Sequence, residues 1–147
     1  MRSFWQAHTR ADVLGRPERL TPDHRGQWGR FTAPQMLAHI TDSLRMAFGD
    51  LPTRSKRLVL RYPPLKQIAI YWMPMPKGLP TAKELISRVP GDWEQEMGEC
   101  RALVERFSHE SREREWPEHP AFGTMSARRW GAIGYRHTDH HLRQFGV

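Results

Sequence analysis

The chain has 147 residues, 38% of them hydrophobic and 27% charged, which suits one domain with a continuous core. A mean hydropathy of −0.72, with no run near the roughly 18 apolar residues of a membrane span, points away from a membrane protein. The net charge of +7 raises nucleic acid as a partner, but 19 Arg and 4 Lys are scattered from Arg2 to Arg143 among 16 acids. No basic block reaches five residues, and the densest run, Arg54-Ser-Lys-Arg57, accompanies no nucleic-acid motif, so nucleic-acid binding is not expected.

In chain order, the opening ten residues lack the apolar stretch of a secretory signal, and the cytoplasm is the expected compartment. Val13, Leu14 and Leu20 predict a first helix over 8–20, weakened by Gly15 and Pro17. Thr32 is placed to cap a second helix from Pro34 to Phe48. Its Met36, Leu37, Ile40, Leu44, Ala47 and Phe48 form an apolar stripe, closed by Gly49-Asp50. Six prolines between 50 and 81 preclude a long regular element there. Within that stretch Leu65–Met73 reads as a short buried helix, and the whole segment as a packed excursion over one end of the core. Asp92, with Gln95 completing a capping box, predicts a third long helix whose seam runs Trp93, Met97, Cys100, Val104, Phe107. Cys100 is the only cysteine, so no internal disulfide or thiolate-rich metal site can form, and its place on the seam makes it a small core residue. After a rigid connector, Trp116–Gly123, Ser126 starts the last helix, about Ala127 to Phe145. The expected architecture is all-α: an up-down four-helix bundle spanning 1–147 as one domain, with a long proline-containing crossover between helices 2 and 3.

The last helix carries the chemistry. Its seam passes through Ala127, Trp130, Gly134, His137, His141 and Gln144, so two imidazoles four apart lie one above the other on a core-facing line. A metal ion would satisfy two polar rings that burial otherwise strands. The intervening Thr138-Asp-His140 lacks the glutamate of a zincin, so a metalloprotease is not indicated. A third ligand must come from a facing helix, and His39, flanking the apolar stripe of the second helix, is the candidate. Asp42, one turn later, is placed either to orient a ligand imidazole or to face solvent. His140 points about 100° away from His141 around the helix and is a neighbour of the site or exposed. His119, extended by the following Pro120, serves as an acid or base, or anchors its own loop. His8, His24 and His109 carry no argument.

The tail Tyr135-Arg-His-Thr-Asp-His-His-Leu-Arg-Gln-Phe-Gly146 resembles the closing helix of the DinB-like metal-binding bundles, and Met36-Leu-Ala-His39 resembles their ligand region on the second helix. Trp28-Gly29, Pro80-Thr81 and His119-Pro-Ala-Phe-Gly123 look like marks of an uncharacterised branch of that superfamily. The resemblance covers nearly the whole chain. It implies three histidine ligands, His39, His137 and His141, on one divalent ion, zinc or nickel, with Gln144 beside them and frequent homodimers. It also implies a metal-dependent thiol S-transferase or hydrolase acting on a small molecule, with a low-molecular-weight thiol as possible partner. The alternative is a metal-binding or interaction protein without activity. An ion held by three neutral donors keeps an open position, as catalytic zinc does; a fourth ligand from His119, His140 or Asp42 would make the site structural.

Overall fold

Helix caps and apolar stripes set the elements of the computed structural model, which describes residues 1–55, 58–78, 82–86 and 88–147. Lys56 and Arg57 of the basic run, and Pro80-Thr81 of the resemblance, lie outside them. The chain is helical, and among the described residues there is no strand, only isolated bridges pairing Arg25 with Thr32 and His119 with Gly123. The helices are α1 (Ala7–Gly15), α2 (Ala33–Phe48), α3 (Leu65–Tyr71), α4 (Trp93–His109) and α5 (Ala127–Gln144).

The first helix is shorter than the sequence predicts. Gly15 is its last residue, and Pro17 fixes a separate 3₁₀ turn, Pro17–Arg19. In α2 the Thr32 hydroxyl accepts from the Gln35 backbone N–H, while Gln35 Oε1 accepts from the Thr32 N–H. A full capping box thus closes at Thr32. Asp92 itself accepts from the N–H groups of Glu94 and Gln95. Ser126 caps α5 by accepting from Arg129 N–H.

The apolar stripe of α2 faces both long C-terminal helices, α1 lies against α4 and α5, and α3 against α5. Val104, Phe107, Ile40, Leu44 and Trp130 are at most 2% exposed and form the middle of one continuous core. Each such side chain contributes about 1.5–3 kcal/mol by leaving water. Cys100 is buried among them, and burial pushes its thiol up to about 12. The N-terminal segment seals one end. Phe4 N–H donates to Gly131 O, and Trp5 Nε1 donates to Ala127 O. A Cβ on Gly131 would sit 2.4 Å from the Trp5 ring, so only glycine admits this approach.

The excursion between α2 and α4 is less buried than expected. In α3 Ile70 is fully inside, but Leu65 and Ile68 are each 45% exposed and Trp72, just after it, 82%. The C-terminal end of α3 is tied to α5 instead: Arg136 donates to Ala69 O at 3.1 Å, and also to Ile70 O and Met73 O. No helix among the described residues is long and apolar enough to cross a membrane.

Candidate metal centre

His39 lies near the middle of α2, and His137 and His141 lie in the second half of α5. Each of the three offers a ring nitrogen within 4.8 Å of the others, an arrangement that could hold an ion. Their ring centroids are 4.7 to 4.8 Å apart, and Phe31 packs against His39 and His141 as an apolar wall.

Hydrogen bonds fix which nitrogen of each ring is free. His39 Nδ1 is 2.9 Å from the carbonyl oxygen of Leu85, which only accepts, so Nδ1 carries the proton and Nε2 the lone pair. Gln144 uses its amide nitrogen to donate to Trp28 O. Its Oε1 therefore faces His141 Nδ1 at 2.8 Å, which again puts the proton on Nδ1. Both rings thus aim an Nε2 lone pair inward. His39 Nε2 stands 3.0 Å from His137 Nε2. Two lone pairs at that distance repel, and either one proton between them or one cation reconciles them. The donor set therefore fits a divalent ion of imidazole preference.

Electrostatics keep the set neutral. Burial lowers His39 below the ordinary imidazole range and pushes His141 down to about 3, aided by His39. His137 is held well below its usual value by burial, with His141 and His39 adding to the effect. Unprotonated imidazoles have lone pairs to give.

The other residues singled out by sequence are placed differently. The Asp42 carboxylate touches no imidazole. It accepts from Arg45 at 2.8 Å and from Arg88 at 3.1 Å, and the Leu85 carbonyl takes the orienting position on His39. Arg88 also pairs with buried Glu96 and holds that carboxyl below the usual range. Through Arg88 this network joins α2 to α4. His140 packs edge-on to Trp28, half-buried, and among the described residues neither it, His119 nor Asp42 joins the ligand cluster. Gln144 bridges His141 to the Trp28-Gly29 turn. Gly29 has φ +81°, and a Cβ there would lie 2.3 Å from the Gln144 amide nitrogen.

The histidines open into a cavity of about 760 Å³, within the range of small-molecule sites. Its walls include Trp28, Phe31, Met46, Met73, Met75 and Trp130. Leu85 and the cavity have no strong signature in the sequence. Leu85 meets His39 across 46 positions, and the one hint of a ligand wall is the run Met73-Pro-Met-Pro76, since methionine lines adaptable surfaces.

No curated protein and no solved structure matches the chain. A family profile described as "Protein of unknown function (DUF1569)" matches residues 6–146. That span takes in α1 through α5 and all three clustered histidines, and the chain belongs to the DUF1569 family.

Proposed function

We propose that this protein binds one divalent ion, zinc or nickel, through Nε2 of His39, His137 and His141, and uses it on a small molecule held in the adjoining cavity. The observation that carries this reading is the pair of locked tautomers. Leu85 O and Gln144 Oε1 each hold a proton on Nδ1, which is how neighbours of metal sites commonly orient ligand imidazoles. The DinB-like assignment belongs to the same reading. It is supported by α1, α2, α4 and α5 packing around one core, consistent with an up-down four-helix arrangement in which the segment from Gly49 to Gly91 is the crossover.

An ion held by three neutral donors supplies Lewis acidity and an uncompensated positive charge, which favours an anionic or thiolate ligand or an activated water. A thiol S-transferase or a hydrolase fits this arrangement. The absence of a fourth His, Cys, Asp or Glu from the cluster among the described residues favours catalysis over a purely structural ion. The chain's own residues hold the rings, keep them unprotonated and line the adjoining space with apolar groups.

Elemental analysis of purified protein should find about one divalent ion per chain, and His137→Ala or His141→Ala should release most of it. Full occupancy in the double variant would place the ligands elsewhere. Turnover of an electrophile by metal-loaded protein only when a thiol is added would select the transferase, and turnover without thiol the hydrolase.

A further inference from the structure

The cavity has a second polar point besides the histidine cluster. His119 and Gly123 exchange backbone hydrogen bonds, each 2.8 Å, closing a five-residue loop. Inside that loop His119 Nδ1 accepts from the backbone N–H groups of Ala121 at 3.1 Å and Phe122 at 3.3 Å. Two N–H donors facing one nitrogen require a lone pair there, so the proton of the neutral ring sits on Nε2. Placing a proton on Nδ1 as well would set it against both donors. The ring is held between Phe122, at 4.7 Å, and Trp130, at 5.2 Å, and Trp130 is fixed in turn by donating to Pro117 O. His119, Phe122 and Trp130 all line the cavity, and among the described residues the Nε2–H has no hydrogen-bond partner.

The remaining walls narrow the chemistry of what can bind. Among the described lining residues there is no Asp, Glu, Lys or Cys. Arg30 and Arg136 also line the cavity: Arg30 is exposed to solvent, the Arg136 guanidinium is taken up by carbonyls of α3 and the residues after it, and the His140 ring rests against Trp28. Ser43 donates its hydroxyl to His39 O. A ligand charged along its length would lose its hydration against the apolar walls, with compensating charge only at Arg30 and at the ion proposed above, whereas an apolar body loses none.

We infer that the cavity receives a predominantly apolar molecule bearing an uncharged acceptor, such as a carbonyl oxygen, and that His119 grips this acceptor by donating from Nε2–H. This rests on the reading of the cavity as the small-molecule site. In it His119 is a neutral, fixed-tautomer donor that positions the ligand, and the loop at Nδ1 bars it from carrying a proton back and forth.

Benzophenone and diphenylmethane test the inference, being alike in size and differing in one carbonyl. Their binding can be followed by quenching of Trp28 and Trp130 fluorescence, on full-length protein with zinc loaded and with zinc chelated. Benzophenone should bind about 3- to 10-fold tighter in both states, the discrimination of one neutral hydrogen bond. His119→Asn keeps an oxygen where Nδ1 accepts from the loop but withdraws the donor from the outer Nε2 position, so it should abolish the preference while zinc content and melting temperature stay near the parent's. His119→Gln restores a donor at the outer position and should recover part of the preference despite a weakened loop. Equal binding of the two probes, or a preference that survives in His119→Asn, would overturn the role of His119 and leave the cavity's role intact. Binding of neither probe would overturn both. A preference present only with zinc would assign the carbonyl to the ion and overturn the inference.

Discussion

The two ends of α5 solve opposite problems with rings. At the end near Ala127 and Gly131, Phe4, Trp5, Phe48, Phe107 and Trp116 pack in edge-on, tilted and stacked pairs with centroids 4.7 to 6.2 Å apart and fill the space. At the end near Gln144, three imidazoles converge and leave open space beside them. The rings of the first end cover each other's apolar faces, although the buried Trp116 Nε1 has no hydrogen-bond partner among the described residues. Those of the second turn ring nitrogens toward one another, an arrangement that a proton or an ion between them reconciles. Stability thus concentrates at one end and binding at the other, on a single helix.

Substitution at the filled end should have the largest effect. Phe107, 1% exposed, touches four aromatic partners, and Phe107→Ala should cost about 3–5 kcal/mol by denaturant unfolding. The folded fraction should still bind its full complement of metal. A parallel loss of metal would mean that the two ends are one cooperative site.

Acid should strike the imidazoles that line the cavity. Burial holds His119 and His141 down to about 3 in the folded chain, whereas the unfolded chain takes up these protons near the ordinary value of about 6.5. Between those values the unfolded state binds more protons. The stability contributed by keeping these rings neutral is therefore complete above about pH 6.5 and declines as pH falls toward 3, by about 1.4 kcal/mol per pH unit for each proton. Urea midpoints of metal-free protein near pH 7 and near pH 5 measure this slope, and His119→Asn should flatten it. Phe107→Ala should lower both midpoints equally; an altered slope would show that the aromatic end shares the proton linkage.

The smallest effect separates holding an ion from aiming at it. Gln144→Ala removes the oxygen that orients His141 but no ligand, so metal affinity should weaken about 10- to 100-fold without vanishing. Competition with a chromophoric chelator reads this directly. Unchanged affinity would make the Gln144 bridge to Trp28 a matter of loop packing alone.

Short-range and periodic signals carried most of what could be read from the sequence. Thr32, Asp92 and Ser126 mark helix starts because their side chains act on backbone within three residues. His137 and His141 share a face because four residues are nearly one turn. What escaped depends on distant chain. Asp42 offers the right charge near His39, but Arg45 and Arg88 claim it, and Arg88 arrives from a segment no periodicity places. The exposure of Ile68 and Trp72 escaped for the same reason: apolar composition suggests burial, yet only packing decides which face of a short helix is covered.

Arg136 immediately precedes His137, and its guanidinium is fastened to the carbonyls of Ala69, Ile70 and Met73. Ala69 and Met73 also form part of the cavity wall. The wall and the ligand-bearing turn are consequently geared together: pushing α3 outward tugs on the backbone that aims His137. A guest large enough to strain that wall would register at the ion, and an ion that settles the histidines would stiffen the wall in return.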